Sequence, residues 1–250
     1  MNYSIRHCES REELAACVDL QKRIWGYTDA EVYPLRLFVN LTRIGGHVLG
    51  AFTEHKELVG FLAAMPAWRE GQRYFHSLSL GVAPGHENQG LGRALKLCQR
   101  EEALQAGVTL IEWTYDPLRA KNAFFNMVRL GAIARRYVPD YYGHVASRLQ
   151  QGLPTDRLIC EWWLKSRRVQ RALQGKLVRA PDGKPAAQVV IPANFKSLVD
   201  AHPRKARALQ AAVRTELQRD FRRRLVITSF VRGDPSSYYI LDRYDEDTLR

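Results

Sequence analysis

Two features of the stretch 76–97 combine residue types and spacings that can do chemistry. The first is the pair Gly90 and Gly92, which precedes residues of high helical propensity. The first N–H groups of a helix have no internal partner and the helix dipole adds positive charge, so this turn is suited to binding a phosphate. The second is His76, whose imidazole can accept a proton near neutral pH. The stretch indicates a phosphate site with a candidate general base nearby in the sequence.

Two nucleotide-binding motifs do not fit these glycines. The dinucleotide motif G-x-G-x-x-G/A requires a small residue where Leu95 stands, and the phosphate loop requires Gly-Lys-Ser/Thr, which is absent. The strand before the turn is predicted from the alternation of Leu78, Leu80 and Val82 with small residues. We therefore interpret the strand, turn and helix as a cradle for the pyrophosphate of another coenzyme.

The spacing of Val82-Ala83-Pro84 and Gly90-Leu91-Gly92 resembles motif A of the GCN5-related N-acetyltransferases (GNAT), including bacterial-type members. In that family a strand ending Val-x-Pro is followed by R/Q-x-x-G-x-G/A, and the ligand is acetyl-CoA. Glu87 stands where the family usually has Arg or Gln. Since main-chain donors hold the pyrophosphate, we expect Glu87 to alter affinity and not to abolish the site. The resemblance implies acetyl-CoA, or another acyl-CoA, as co-substrate and no metal.

The resemblance also implies which residues hold the coenzyme. In the family the strand before the turn diverges from its neighbour, and its backbone pairs with the pantetheine arm. These groups fall on Leu80, Gly81 and Val82, with the amide of Val82 as the expected donor to the thioester oxygen. The alternative is an ordinary paired strand, although Gly81 beside Val82 favours a local β-bulge. The other expected coenzyme contacts are Gln89, Gly90, Leu91, Gly92, Arg93, Ala94, Asn122 and Asn126.

Candidates for proton abstraction lie on two predicted strands. His76 lies six residues before Val82, where some histone-type members of the family carry a catalytic Glu, and Ser77 would orient it. The alternative role for His76 is a structural hydrogen bond within the sheet. Glu112 is a weaker candidate base, because a carboxylate between apolar neighbours should be paired or solvated.

The general acid is where this sequence departs from the family. A Tyr four residues before the Gly that closes the fourth helix is common in the family, but counting back from Gly131 gives Met127, which cannot donate a proton. Tyr115 and Tyr142, beside Tyr141, remain candidates, either as proton donors or as walls of a pocket. Otherwise the thiolate leaves unassisted or takes a proton from water.

Polar and basic side chains of two predicted helices could meet the coenzyme. Asn122 and Asn126 would bind the arm or the phosphates, or else lie on a helix surface. The 3′-phosphate could be met by a basic residue, although a solvated helix face is favoured for each: Arg93, Lys96, Arg100, Arg119 and Lys121.

The elements that must position these residues follow from hydrophobic periodicity. The predicted order over about residues 3–166 is β-α-α-β-β-β-α-β-α-β-β, which is the order of the acetyltransferase family. The first helix is expected to begin with a capping box over 10–13 and to end at Gly26. A later helix is expected over 120–130. The fold class is therefore α/β (α+β), with a mixed, mostly antiparallel central sheet flanked by helices. We assign residues 1–166 to an acyl-CoA-binding catalytic domain.

Residues 167–250 are predicted to form a smaller β-α-β-β extension that packs on the core or on a second subunit. They include a turn at 181–184 and a helix over about 203–221. Residues 1–165 hold 20 basic and 17 acidic residues, a balance of +3, whereas residues 166–250 hold 18 and 9, a balance of +9. The basic residues of 166–250 either form a solvated surface or face an acidic partner, a polyanion or nucleic acid.

The amino-acid composition further narrows the classes of protein that this sequence can represent. With 46% hydrophobic residues the chain can bury a core, and its four cysteines form no C-x-x-C pair. The N-terminus has no apolar segment of signal length and no run approaches 18 apolar residues, so a cytoplasmic protein without a membrane partner is expected. The leading hypothesis is an N-acetyltransferase that acts on the primary amine of a small molecule or peptide. A non-catalytic acyl-CoA sensor and, less favoured, a nucleic-acid-binding protein are the alternatives, and a homodimer is left open.

Overall fold

The computed structural model describes residues 2–143, 152–176 and 184–244. The described chain forms two compact units, the first ending at Glu112 and the second beginning at Trp113, within one strand. The boundary predicted after residue 166 differs from this division. The assignment of 1–166 and 167–250 as separate domains stays a prediction.

The first unit combines an antiparallel sheet with three helices. Its strands are β1 (Tyr3–His7), β2 (His47–Thr53), β3 (Leu58–Arg69), β4 (Gln72–Val82) and the beginning of β5 (Leu110–Tyr115). Its helices are α1 (Arg11–Trp25), α2 (Leu35–Arg43) and α3 (Leu91–Gln105). The strands lie in the order β1-β2-β3-β4-β5, and all pairs are antiparallel except β4 with β5, which is parallel.

Helix α1 begins and ends where local chemistry predicts. The side chain of Ser10 accepts a hydrogen bond from the amide of Glu13, and the Glu13 side chain accepts one from the amide of Ser10, which is a capping box. Gly26 closes the helix at φ +67°, in the left-handed region that favours glycine. The predicted first helix is therefore confirmed.

Strand β4 contains a bulge, but not at the predicted position. Ser79 and Ser77 pair with consecutive residues of β3, so Leu78 is the extra residue. The bulge predicted at Gly81 is wrong, because Gly81 pairs in regular register. A Cβ atom on Gly81 would lie 2.7 Å from Ile24 Cδ1, so this glycine allows the end of α1 to pack against the strand.

The second unit begins with the end of β5 and contains the C-terminal third of the chain. Its helices are α4 (Ala120–Phe124), α5 (Arg167–Leu173), α6 (Phe195–Ala201) and α7 (Pro203–Arg222). Its strands are β6 (Ile133–Val138), β7 (Arg157–Trp163), β8 (Ala187–Pro192), β9 (Leu225–Val231) and β10 (Ser236–Arg243). The strand order is β5-β7-β6-β9-β10-β8. The predicted fold class is confirmed.

The extension contains the predicted β-α-β-β elements as β8, α7, β9 and β10. Two short helices, α5 and α6, were not predicted. Residues 181–183 of the predicted turn lie outside the described residues. None of the helices in the described part of the chain is long and apolar enough to cross a membrane.

The helix predicted over 120–130 is not continuous. After α4 the backbone widens into a π-helical segment, Phe125–Arg129, and the amide of Leu130 donates to the carbonyl of Phe125. Gly131 then ends the segment at φ +74°. Single π-helical turns inside helices occur often at functional sites.

A buried arginine holds the end of this segment. The Arg168 guanidinium, from α5, donates to the carbonyls of Gly131 and Met127, at 3.0 and 3.1 Å, and to that of Thr228. Burial lowers its pKa to about 10. Arg168 thus satisfies carbonyl groups that the end of a helix leaves unpaired, and it ties α5 and β9 to the π-helical segment.

Candidate functional site

The glycine turn presents main-chain donors at the start of α3. Gly90 has φ +85° and no side chain caps the N-terminus of α3. The first intrahelical bond runs from the amide of Ala94 to the carbonyl of Gly90. The amides of Leu91 and Gly92 precede this bond and have no carbonyl of the helix to donate to, whereas the amide of Ala94, a predicted coenzyme contact, is already used.

There is open space at the turn for a phosphate. A Cβ atom on Gly90 would meet nothing within 4 Å, and one on Gly92 would make only an ordinary contact, at 3.8 Å from Leu80 Cδ2. Uncapped amides, a helix dipole and open space together fit a pyrophosphate.

The loop before α3 is held in place by side chains. Gln89 Nε2 donates to the carbonyl of Gly85 at 3.2 Å, and the Tyr3 hydroxyl donates to Gln89 Oε1 at 2.8 Å. The same hydroxyl lies 3.1 Å from His86 Nδ1. The Gln89 side chain thus shapes the loop. The role of Tyr3, 86 residues away in sequence, has no local signal that could have indicated it.

Strand β4 offers main-chain groups on the edge that faces away from β3. The amide of Ala83 donates to the carbonyl of Val59 at 2.8 Å. In an antiparallel pair, hydrogen-bonded and non-hydrogen-bonded positions alternate, so the N–H groups of Val82 and Leu80 point away from β3. Gly81 lies between them, and its N–H and C=O groups face β3 in the antiparallel ladder. Two of the three predicted backbone contacts with the pantetheine arm thus have an N–H group that points away from β3.

The candidate bases lie where β4 meets β5. Phe75 pairs with Ile111 and the half-buried His76 with Glu112 in the parallel ladder. The buried Glu112 carboxylate accepts two hydrogen bonds from Arg69, at 2.9 and 2.6 Å. The expected pairing of Glu112 is therefore found, and both carboxylate oxygens are occupied by the Arg69 guanidinium. His76 remains the better candidate base.

Lys96 differs from its predicted place on a solvated helix face. The residue is 2% exposed, because its position in α3 lies on the same side as the buried Leu95 and Gln99. Its ammonium donates to Ser77 Oγ at 3.0 Å and to Gln99 Oε1 at 3.1 Å. Lys96 is thus not placed for the 3′-phosphate, and Ser77 binds Lys96.

The predicted tyrosines lie in the second unit. Tyr115 is 4% exposed, and burial, with Tyr239 nearby, raises the pKa of its hydroxyl well above the ordinary value. The exposed Tyr142 has its hydroxyl 2.9 Å from Thr114 Oγ1, and its ring stacks edge-on with Tyr141. A buried phenol with a raised pKa is a weak acid, so Tyr115 is poorly suited to donate a proton. Both roles stay predictions.

Part of this chain is similar in sequence to a known protein family. Residues 14–127 match the profile of the acetyltransferase (GNAT) family. This stretch, which is less than half of the chain, is similar to GNAT acetyltransferase domains. Among curated proteins, no sequence gives a significant match.

Solved structures of acetyltransferases have a fold similar to that of about two thirds of this chain. The yncA protein of Salmonella typhimurium, solved with its cofactor acetyl-CoA, is 19% identical, with a TM-score of 0.53 over 73% of this chain and 99% of its own. The ribosomal-protein-S18-alanine N-acetyltransferase of Escherichia coli is 18% identical, with a TM-score of 0.51 over 64% of this chain and 92% of its own. Arabidopsis thaliana Naa50, in complex with the bisubstrate analogue CoA-Ac-MVNAL, is 15% identical, with a TM-score of 0.51 over 64% of this chain and 98% of its own.

The remaining predicted contacts lie on α4 and the π-helical segment. Asn122 is exposed, whereas Asn126 is buried and its carbonyl accepts a hydrogen bond from the amide of Ala132. Met127 is fully buried. The described residues contain no cluster of three or more His, Cys, Asp or Glu side chains that could hold a metal ion.

Proposed function

We propose that this protein transfers the acetyl group of acetyl-CoA to the primary amine of a small molecule or a peptide. The observation that carries the proposal is the uncapped N-terminus of α3 at Gly90, which follows a strand whose N–H groups at Leu80 and Val82 point away from β3. Acetyl-CoA bound to yncA, and a CoA-peptide analogue bound to Naa50, support the choice of co-substrate and of an amine acceptor.

Each group has a defined task in this reaction. The amides at the start of α3 bind the pyrophosphate, and the edge of β4 pairs with the pantetheine arm. His76 accepts a proton from the acceptor amine, whose nitrogen attacks the thioester carbon. The amide of Val82 stabilises the oxyanion that forms. The C–N bond is then complete, the C–S bond breaks, and the products are the amide and CoA.

Calorimetry with acetyl-CoA tests the binding site. In Gly90→Asp, a carboxylate stands among the amides that bind the pyrophosphate, and like-charge repulsion at a partly exposed site should weaken binding by about a hundredfold. Gly45→Asp is the matched control, because Gly45 also has positive φ and open space around it. Equal affinity in Gly90→Asp and the parent, or no binding to the parent, would contradict the proposal.

A sensor that binds acyl-CoA without turnover is the second candidate, and Met127 at the position of the family's Tyr favours it. A screen of thiol release distinguishes the two. The parent protein is incubated with acetyl-CoA and, in turn, short peptides with free N-termini, diamines and amino sugars. Steady release of CoA with one amine class supports the enzyme, and binding without release under every condition supports the sensor.

A further inference from the structure

The first strand of the chain supports the loop that precedes the glycine turn. Tyr3, the first residue of β1, donates its hydroxyl hydrogen to Gln89 Oε1 at 2.8 Å, and Gln89 Nε2 donates to the carbonyl of Gly85 at 3.2 Å. The Gln89 side chain thus closes the loop 85–90 on itself, and Tyr3 holds that side chain from outside the loop. A hydroxyl group 86 residues away in sequence therefore takes part in shaping the loop.

The hydrogen bonds of this cluster determine where each hydrogen lies. Gln89 Nε2 faces a carbonyl, which can only accept, so the amide oxygen of Gln89 is the atom that faces Tyr3. The single hydrogen of the Tyr3 hydroxyl goes to that oxygen. His86 Nδ1 lies 3.1 Å from the hydroxyl oxygen and therefore donates to it. Tyr3 thus joins two residues of the loop, as donor to Gln89 and as acceptor from His86.

The backbone of the loop adopts conformations that need support. Gly85 and Gly90 have φ +88° and +85°, and Asn88, which carries a Cβ atom, has φ +61°. A residue with a Cβ atom adopts this left-handed region at a cost in free energy, so the surrounding structure must hold it there. The two partners of Tyr3, His86 and Gln89, lie on either side of Asn88 in the sequence.

The end of the loop is also the start of α3. Gln89 directly precedes Gly90, the residue that begins the helix with no side-chain cap. In the proposed function, which this inference rests on, the amides after Gly90 bind the pyrophosphate of acetyl-CoA. A loop that already has its binding conformation loses less conformational entropy when the ligand binds. The bonds that hold Gln89 therefore contribute to affinity without contact with the coenzyme.

We propose that Tyr3 is a positioning residue for the coenzyme. Through Gln89 and His86 it holds the loop 85–90 in the conformation in which the start of α3 receives a pyrophosphate. The affinity for ligands that carry a pyrophosphate depends on the Tyr3 hydroxyl, whereas the chemical step at the thioester does not.

Calorimetry with acetyl-CoA tests this assignment directly. Tyr3→Phe keeps the ring, which lies edge-on to His86 with centroids 5.9 Å apart, and removes only the hydroxyl. The dissociation constant for acetyl-CoA should rise about tenfold, as expected for the loss of one or two neutral hydrogen bonds. Tyr74→Phe is the matched control, since Tyr74 lies in β4 of the same unit and its ring centroid is 4.9 Å from Arg69 Cζ. This control should keep the dissociation constant of the parent.

A comparison of two acetyl donors separates positioning from a general loss of structure. With the best amine from the screen, Tyr3→Phe should raise the KM for acetyl-CoA about tenfold and keep kcat within about twofold. S-acetylpantetheine carries the thioester and the arm but no pyrophosphate. With this donor, the variant and the parent should have the same kcat/KM. If the parent binds acetyl-CoA without turnover, calorimetry with the same two ligands decides in the same way.

A double variant tests whether Tyr3 acts through Gln89. Gln89→Ala removes the side chain that Tyr3 holds, so adding Tyr3→Phe to it should weaken binding by no more than about a further threefold. Fully additive losses would contradict an action through Gln89.

The failures of the two proposals are distinguishable. If the parent does not bind acetyl-CoA, the proposed function fails and this inference falls with it. If the parent binds acetyl-CoA and Tyr3→Phe binds it equally well, only the inference fails. A loss with S-acetylpantetheine as large as the loss with acetyl-CoA would also overturn it, because that result indicates a purely structural role.

Discussion

Replacing Gly131 by alanine should destabilise the second unit more than a helix-ending glycine normally would. Its φ of +74° is strained for a residue with a Cβ atom, at a cost of about 1 kcal/mol. The new Cβ atom would also lie 2.8 Å from Ala172 Cβ and 3.1 Å from the carbonyl oxygen of Arg168. Overpacking of this kind typically costs about 2 kcal/mol. We therefore expect the free energy of unfolding to fall by about 3 kcal/mol.

Gly26 provides a matched control for this change. It also ends a helix at positive φ, but a Cβ atom there would meet nothing within 4 Å, so Gly26→Ala should cost only about 1 kcal/mol. Urea unfolding followed by circular dichroism measures both losses under the same conditions. Equal losses in the two variants would refute the packing argument. They would also show that α5, which begins after residue 166, does not press on the end of the π-helical segment.

Two further predictions concern pH. The hydrogen bond from Arg6 lowers the pKa of Glu13 to about 2. Glu13→Gln should therefore lower the free energy of unfolding by roughly 1 kcal/mol at pH 7. In urea unfolding, this difference from the parent should disappear as the pH falls from about 4.5 to 2. Burial, with His7 and Lys96 nearby, lowers the pKa of His47 to about 4. As the pH falls, the imidazole takes up its proton at a higher pH in the unfolded chain than in the folded protein. The free energy of unfolding of the parent should therefore fall by about 2 kcal/mol between pH 7 and 5. His47→Phe, which keeps a ring against Phe75, should lose less, and a pH-independent difference from the parent would contradict the assignment.

The elements that sequence predicted best are those with a local code. The capping box at Ser10 and the glycine at position 26 fixed both ends of α1, and the strand, turn and helix around Gly90 needed only local patterns. In these cases the residues that determine the structure lie within a few positions of each other, so no tertiary contact has to be known.

The elements that sequence missed depend on distant partners. Helix α5 contains Arg168, which a pattern of charges assigns to a solvated surface, although its guanidinium is buried against three carbonyls from other elements. The bulge lies at Leu78 because the register of β3 and β4 shifts there, and no residue type marks that shift. The π-helical segment likewise follows a helical sequence pattern and becomes visible only in the backbone hydrogen bonds.

Lys96 shows how such a miss can lead to function. A buried cation is rarely the most stable choice, and replacing it with an apolar side chain is often neutral or stabilising. If Lys96 serves only the fold, Lys96→Met should lower stability and reduce activity only through that loss. If the charge of Lys96 contributes to turnover, the variant should unfold at the same or a higher urea concentration and still turn over more slowly. Stability and kcat moving in opposite directions is a result that a structural role for this lysine cannot produce.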